Sequence, residues 1–203
     1  MPRTSSAKER LTEAALRMIW CNSYGATSVD AICAQAKVKK GSFYYFFRSK
    51  SDLAAAALDA DWREHKAQLD GIFSPSLPPL ERLRLYFEFN YQRLAEIKKE
   101  CGSVLGCPLY TLGSEMCTQD TVLGGKIQEI LERKVTYLES AIREAHAQGQ
   151  VVAADAKAKA KMLFMFIQGA LTQARIQNNV EILREVYPGA LDLLRAKEAP
   201  MTA

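Results

Sequence analysis

The apolar positions of this chain recur at helical spacing over most of its length. Between residues 6 and 22 they fall three and four positions apart, and charged side chains occupy the opposite face. The stretch 23–26, SYGA, interrupts this pattern, and Thr27 and Ser28 then offer hydroxyl caps for a new helix. The pattern therefore predicts an amphipathic first helix, a turn and a short second helix.

The segment 39–50, KKGSFYYFFRSK, sets five consecutive aromatic residues between basic ones. A strand would mix hydroxyl-bearing and pure hydrocarbon rings on each of its faces. A helix instead turns Tyr44 and Tyr45 outward and groups the three phenylalanines on one side. We therefore predict a third short helix, anchored by Phe43, Phe46 and Phe47.

Longer helices are predicted for the rest of the chain. The expected ranges are 51–73, 80–99, 120–148, 155–178 and 181–196, the last interrupted near Pro188 and Gly189. The proline-rich stretch 74–79 separates the first two of them. Residues 101–113 are expected to be irregular or to contain a short helix. Together with the N-terminal pattern, these ranges predict an all-α fold.

One helix is apolar on nearly every side. Residues 162–171 read MLFMFIQGAL, and such a surface must be covered all round. A second subunit is expected to cover its outer face. The small residues Gly169, Ala170 and Ala174 would allow close helix approach, and we predict them as dimer contacts.

The net charge is unevenly divided along the chain. Residues 1–50 carry nine Lys and Arg against three acids, a formal charge of +6, whereas the whole chain carries only +4. A basic N-terminal segment indicates nucleic acid or another anionic surface as partner. An uneven but idle charged surface is the alternative at this point.

Composition excludes several other classes. No stretch of about 18 uncharged apolar residues exists, and the N-terminus has no apolar block ending in small residues, so we predict a cytoplasmic protein without a membrane partner. The five cysteines form no C-x-x-C pair and only two histidines accompany them. We therefore predict no metal, no cofactor and no disulfide framework.

Three short helices with a tight turn form a helix-turn-helix, whose last helix can enter the major groove. Basic and small residues at the start of that helix suit phosphate, tyrosine hydroxyls suit phosphates or base edges, and a lysine after it suits flanking phosphates. A packed aromatic corner with solvated lysines is the alternative. The predicted DNA-contacting residues are Thr27, Ser28, Lys39, Lys40, Gly41, Ser42, Tyr44, Tyr45 and Lys50.

The stretch ATSVDAICAQAKVKKGSFYYFFRSKSDL resembles the DNA-binding signature of the tetracycline repressor (TetR) family, over about residues 8–55. Two positions depart from that signature, Lys39 at a usual hydroxyl cap and Phe46 at a frequent histidine. The matching positions are Thr27, Ser28, Val29, Ile32, Ala36, Val38, Lys40, Gly41, Tyr44, Phe47, Lys50 and Leu53.

This resemblance implies a homodimeric transcriptional regulator, usually a repressor. Such a protein binds a palindromic operator in double-stranded DNA and is released by a small-molecule inducer. The resemblance also implies two domains, a helix-turn-helix domain over residues 1–50 and a larger helical ligand-binding and dimerisation domain over residues 51–203.

Two later stretches, SVLGCPLYTLGSEM and FIQGALTQARIQNNVEIL, are similar to a TetR subgroup that includes the N-ethylmaleimide reductase repressor and acrylate-responsive repressors. Pro108, Thr111 and Arg175 depart from its pattern. Because Arg175 replaces the usual lysine, no mechanism that needs a nucleophilic amine there is carried over. The matching positions are Gly106, Cys107, Leu112, Glu115, Met116, Gly169 and Ala174.

Cys107 has two interpretations. Next to Pro108 it can precede a short helix, whose N-terminus stabilises a thiolate that oxidants or electrophiles attack. Alternatively it is a small apolar residue in a pocket wall. Arg175 either pairs with a carboxylate ligand or lies exposed or at an interface. Further predicted pocket walls, each also suited to simple core packing, are Trp62, Tyr86, Phe89, Tyr110, Met116 and Phe166.

Two other classes of protein compete with the regulator. An all-helical, thiol-dependent enzyme would use Cys107, but neither histidine lies in a recognisable catalytic motif and no phosphate-binding glycine loop occurs. An interaction module would bring its basic end to an acidic protein or a membrane. We therefore predict a regulator without enzymatic activity.

Overall fold

The structure, a computed structural model, describes residues 6–197, and helices form all of the regular secondary structure in this range. Arg3, counted above in the basic segment, lies outside the described residues. The all-α fold class is confirmed, and no strand occurs in the part of the chain that is described. The elements are α1 (Ala7–Asn22), α2 (Val29–Ala36), α3 (Lys40–Phe46), α4 (Lys50–Ile72), α5 (Pro79–Cys101), α6 (Pro108–Met116), α7 (Thr121–Ala147), α8 (Ala156–Ile176), a 3-10 helix (Val180–Glu185) and α9 (Val186–Leu194).

Side-chain caps fix where the N-terminal helices begin. Ser6 and Glu9 form a reciprocal capping box at the start of α1. Ser28 accepts a hydrogen bond from the Ala31 amide and so caps α2, as the hydroxyl pattern predicted. Lys37 ends α2 in a left-handed conformation. The chain can then turn at once into α3.

The helices fall into two compact units. Of the described residues, 6–66 together with 108–131 form the first unit, and 67–107 together with 132–197 form the second. The short helix α6 therefore belongs to the same unit as α1, α2 and α3. Side chains of α6 and the turn between α1 and α2 are therefore part of one compact unit.

The core of the first unit is formed by the apolar faces of the three short helices and α4. Leu11, Ile32, Phe43 and Leu53 have no exposed surface. The Arg10 Nε donates to the carbonyl of Ala36 at 3.1 Å, which ties α1 to the end of α2. Burial of this apolar surface fixes the orientation of α3.

The second unit is organised around a buried arginine in α5. Arg82 is almost fully buried, and its Nη1 lies 2.6 Å from the Glu144 carboxylate of α7. Its other nitrogens donate to the carbonyls of Pro75 and Leu77. Because each of its three nitrogens donates a hydrogen bond, one of them to a carboxylate, the charge is compensated and the proline-rich turn is held against α5.

The sequence predicts an interruption near Pro188 and Gly189 in the last helix, but the break lies earlier. The backbone changes from 3-10 to α geometry at Val186, and Pro188 lies in the first turn of α9. A proline is tolerated there because a first-turn amide needs no helical acceptor. Gly189 serves close packing, since an added Cβ would stand 2.7 Å from the Phe166 Cζ.

Candidate DNA-binding surface and sensing residues

The two faces of α3 differ as the helical pattern predicted. Phe43 and Phe47 are buried, whereas Tyr44 and Tyr45 are 58% and 82% exposed. Edge-to-face ring contacts join Phe43 to Tyr44 and Tyr45 to Phe46, with ring centroids 5.0 Å apart in both pairs. The buried rings therefore fix the helix while the tyrosines face outward.

The start of α3 is basic and open. Lys39, at the N-cap position, makes no side-chain capping bond, and its carbonyl accepts from the Ser42 and Phe43 amides. A Cβ added at Gly41 would meet no atom within 4 Å. Lys39, Lys40 and Gly41 are exposed, and Ser42 is half-buried. An extended phosphate backbone therefore has room to approach here.

Lys40 already has a partner within the chain. Its Nζ lies 2.8 Å and 3.1 Å from the two carboxylate oxygens of Asp30 in α2. The hydrogen bond with Asp30 raises the pKa of Lys40. A phosphate that binds Lys40 has to compete with this carboxylate.

The side chains of Thr27 and Lys50 both make hydrogen bonds inside the turn between α1 and α2. The buried Thr27 hydroxyl donates to the Ser23 carbonyl at 2.7 Å. The Lys50 Nζ donates to the carbonyls of Tyr24 and Thr27, each at 2.9 Å, and lies 4.0 Å from the centre of the Tyr24 ring. Burial lowers the pKa of Lys50. The carbonyls and the ring replace water around its charge.

Glu115, for which the sequence pattern predicts no role, also contacts this turn. The Glu115 carboxylate of α6 accepts hydrogen bonds from the Tyr24 amide at 2.9 Å and the Gly25 amide at 2.6 Å. The family resemblance marked Glu115 as a matching position only. No local pattern could have revealed the contact, because its partners lie 91 and 90 residues away in sequence.

The segment before α6 is held by α8. Gly106 has a φ of +68°, and a Cβ there would come within 3.2 Å of the Leu171 carbonyl oxygen, so glycine suits both the conformation and the close approach. The Arg175 Nη1 donates to the carbonyl of Leu105 at 2.9 Å. Arg175 is thus a half-buried support of this segment.

Cys107 ends the same segment and is buried. Burial raises the pKa of Tyr86 in α5, and the nearby Cys107 thiol adds to this effect. Within the second unit the structure therefore brings Cys107 and Tyr86 together, two of the residues predicted for ligand sensing. The chain enters α6 at the next residue, Pro108.

The remaining predicted pocket residues are divided between the two units. In the first unit, Trp62 is buried, and Tyr110 and Met116 are half-buried. In the second unit, Phe89 is half-buried, but Phe166 keeps 40% of its surface exposed. Phe166 contacts Gly189 and contributes to an outer helix face, which differs from the predicted pocket wall.

That outer face of α8 is an exposed apolar stripe. Met162, Met165, Phe166 and Gly169 follow one another at helical spacing and are all exposed. Ala170 beside them is half-buried. Ala174 was predicted as a dimer contact, but it has no exposed surface because it packs within its own chain.

Neither a membrane-spanning helix nor a metal-binding cluster is found among residues 6–197. None of the helices there is long and apolar enough to cross a membrane. Within the same residues, no group of three or more His, Cys, Asp or Glu side chains is arranged to hold a metal ion.

Two family profiles match the chain. The profile described as "Bacterial regulatory proteins, tetR family" matches residues 11–57, and the one described as "Tetracyclin repressor-like, C-terminal domain" matches residues 79–188. The second match alone spans more than half of the chain.

Curated relatives cover nearly the whole chain. The transcriptional regulator AcuR of Cereibacter sphaeroides is 32% identical over 178 residues, which cover 87% of this chain and 80% of the relative. The HTH-type transcriptional repressor DhaR of a Mycobacterium species is 27% identical over 187 residues, covering 90% and 89% of the two chains.

Solved structures share the fold. The regulatory protein TetR from Rhodobacter sphaeroides superimposes with a TM-score of 0.81 at 30% identity, covering 92% of this chain and 97% of that one. The reduced form of NemR from E. coli gives a TM-score of 0.79 at 18% identity, with 96% and 100% coverage, and shows the fold alone. The chain therefore belongs to the TetR family of bacterial transcriptional regulators, which bind DNA through a helix-turn-helix.

Proposed function

We propose that this protein represses transcription by binding a palindromic operator as a homodimer, and that a small molecule releases it. The observation that carries the proposal is the two-sided α3, which exposes Lys39, Tyr44 and Tyr45 above the buried Phe43. Base contacts worth about 1–3 kcal/mol each would supply specificity, and phosphate contacts would supply salt-dependent affinity. A dimer doubles both contributions.

The proposed roles follow the exposure of each side chain. Lys39, Lys40, Gly41 and Ser42 contact phosphates at the start of α3, and Tyr44 and Tyr45 reach phosphates or base edges. Ser28 and the backbone beside Thr27 contact a flanking phosphate. Lys50 supports the turn from inside, because its ammonium already donates to two carbonyls.

The proposed subunit contact is the exposed stripe on α8. Three large apolar side chains, Met162, Met165 and Phe166, face solvent in the single chain. Burial of such a patch between two copies would remove it from water. Gly169 and Ala170 lie on the same side and allow the helices to approach closely.

The proposed sensor is the Cys107 thiol. It lies immediately before Pro108, the first residue of α6. In conjugate addition, the sulfur forms a bond to the β carbon of an unsaturated carbonyl compound. The alkene π electrons move toward the carbonyl, and the α carbon takes up the proton that the thiol gave up. Tyr86, whose pKa is influenced by Cys107, is a proposed wall residue of this site.

The test begins with selection of duplexes from a random DNA library by the wild-type protein. A palindromic consensus bound far more tightly than random DNA at fixed salt is expected, whereas equal binding to all duplexes would contradict the proposal. Release is then measured with acrylate, a quinone, a reactive aldehyde and peroxide. Wild-type protein should be released by at least one of them. If Cys107→Ser dissociates like the wild type, sensing through this thiol is wrong.

The enzyme alternative gains no support from the comparisons, since the named relatives are regulators and a repressor. We propose that the protein acts in the cytoplasm, where bacterial DNA is accessible to it.

A further inference from the structure

The turn between α1 and α2, residues 23–27, is bound on its amide side by a single carboxylate. Glu115 Oε2 lies 2.9 Å from the Tyr24 nitrogen, and Oε1 lies 2.6 Å from the Gly25 nitrogen. Each oxygen thus accepts from one of two adjacent amides. Hydrogen bonds to a charged acceptor are about twice as strong as those between neutral groups.

This turn needs external partners to keep its shape. Ser23 adopts a φ of +93°, which is unfavourable for a residue with a Cβ. The Tyr24 and Gly25 amides lie outside any helix, so their hydrogen bonds have to come from elsewhere. Glu115 satisfies these amides, while Lys50 satisfies the carbonyls of Tyr24 and Thr27. The turn is therefore held from both sides by charged groups of opposite sign.

The held turn leads directly into the proposed DNA-contacting surface. Thr27 is its last residue and Ser28 caps α2, whose end in turn places α3. Any displacement of the turn therefore moves Ser28 and changes the angle at which α3 meets DNA. Affinity for DNA is sensitive to such changes because the contacts require fixed register and orientation.

We infer that Glu115 is a positioning residue for DNA binding: through its carboxylate, helix α6 sets the conformation of the α1–α2 turn. Glu115 lies in the last turn of α6, whose first residue directly follows Cys107 in the chain. DNA affinity therefore depends on where α6 holds this carboxylate. The inference rests on the proposed DNA binding but not on the identity of the inducer or on chemistry at Cys107.

The test compares Glu115→Gln with Glu64→Gln. Both variants lose one negative charge from the same unit, and Glu64 is exposed in α4. Loss of a negative charge by itself strengthens binding to a polyanion. A glutamine at 115 offers only one acceptor and turns its NH₂ group toward the second amide. If Glu115 positions the turn, its replacement by glutamine weakens DNA binding, whereas the loss of a negative charge alone would strengthen it.

Affinity for the duplex selected by the wild type is measured at fixed salt, at a temperature where circular dichroism shows each variant folded. Glu115→Gln should bind about tenfold more weakly, as expected for a loss of charge-assisted hydrogen bonds. Glu64→Gln should bind equally or slightly more tightly. Equal or tighter binding by Glu115→Gln would overturn the inference. Failure of the wild type to select any duplex would instead contradict the proposed function.

A second variant keeps the charge and disturbs only the contact. Gly25 does not use a positive φ, so alanine fits its backbone, but the added Cβ would lie 3.1 Å from Glu115 Oε1. Gly25→Ala should therefore displace the carboxylate and weaken DNA binding. Gly125→Ala, where an added Cβ meets no atom within 4 Å, is the matched control and should leave binding unchanged. Equal affinities for the two alanine variants would count against the inference.

Amide hydrogen exchange reports on the contact without DNA. In the wild type, the Tyr24 and Gly25 amides should be protected, and Glu115→Gln should speed exchange at one or both of them while leaving amides in the middle of α5 unchanged. A general loss of stability would instead speed exchange throughout the chain. Unchanged exchange at both amides would show that the carboxylate does not hold the turn in solution.

Discussion

Lys40 at the start of α3 binds both carboxylate oxygens of Asp30 in α2, at 2.8 Å and 3.1 Å. Both side chains are more than half exposed. Because an exposed ion pair contributes little to stability, this contact is not needed to hold the two helices together. Its consequence concerns binding, since Asp30 competes with DNA phosphates for Lys40.

Asp30→Asn is expected to tighten operator binding about two- to fivefold, because Lys40 then no longer has to leave a carboxylate. Fluorescence anisotropy with the selected duplex measures this change. Glu64→Gln is the control, since it removes one charge from the same unit away from Lys40. If both variants gain affinity equally, the long-range charge and not the Lys40 contact explains the result. The melting temperature of Asp30→Asn should stay close to that of the wild type.

Tyr45→Phe should weaken operator binding about fivefold, which corresponds to roughly 1 kcal/mol for one hydroxyl hydrogen bond. The Tyr45 side chain is 82% exposed, so the free energy of unfolding should not change measurably. Titration of DNA at fixed salt and thermal unfolding measure the two effects. Tyr187→Phe, in α9 of the second unit, is the control for binding. Undiminished affinity of Tyr45→Phe would exclude a role for that hydroxyl.

The buried and exposed faces of α3 could be predicted from the sequence because helical periodicity alone decides them. Phe43 and Tyr45 are only two residues apart, and the 100° rotation per residue places them on different sides. Helix caps such as Ser28 could be predicted as well, because the amide that Ser28 caps lies only three residues away in the chain. The sequence therefore predicted the order of the helices and which rings of α3 are exposed.

Contacts between distant segments could not be predicted in this way. Glu115 and Gly25 are 90 residues apart, and a lone glutamate at the end of a short helix gives no indication of its partner. The charge of Lys50 is visible in the sequence, whereas the carbonyls that it binds belong to residues 26 and 23 positions earlier in the chain. The burial of Ala174 and the exposure of Phe166 could not be predicted either, because the elements that pack against α8 decide which of its side chains are buried.

Met165→Glu should weaken self-association by at least about tenfold, because it places a charge in the centre of the exposed stripe on α8. Sedimentation velocity over a concentration series measures the change. Val122→Glu is the matched control, because Val122 is also an exposed apolar residue but lies at the start of α7. A Met165→Glu protein that remains a dimer like the control would show that this stripe is not the subunit contact.

Asp120 connects the starts of two long helices. Its Oδ1 accepts from the Leu123 amide at 2.9 Å in the first turn of α7, and its Oδ2 accepts from the Ser51 hydroxyl at the start of α4. The Leu123 amide, followed by the Ser51 hydroxyl, lowers the pKa of Asp120 below its ordinary value of 3.8. The ionised form is thus favoured in the folded protein.

This shift has a definite sign for stability. Because the folded-state pKa lies below the unfolded-state value, the unfolded chain binds more protons in the interval between them. The contribution of Asp120 is therefore fully present well above pH 4 and is lost as the pH falls through 3.8 toward the folded-state pKa. Asp120→Asn should unfold more readily than the wild type at neutral pH, and the difference between them should shrink below about pH 4.

Urea unfolding of both proteins at a series of pH values from 7 down to 3 measures this difference. Asp155→Asn is the control for the loss of a helix cap, because the Asp155 carboxylate also accepts a hydrogen bond from the amide three residues later, that of Ala158. Ser51→Ala removes the hydroxyl donor but leaves the carboxylate, so its stability should depend on acid less steeply than that of the wild type. Parallel pH curves for the wild type and Asp120→Asn would show that these hydrogen bonds do not favour the ionised carboxylate over the protonated form.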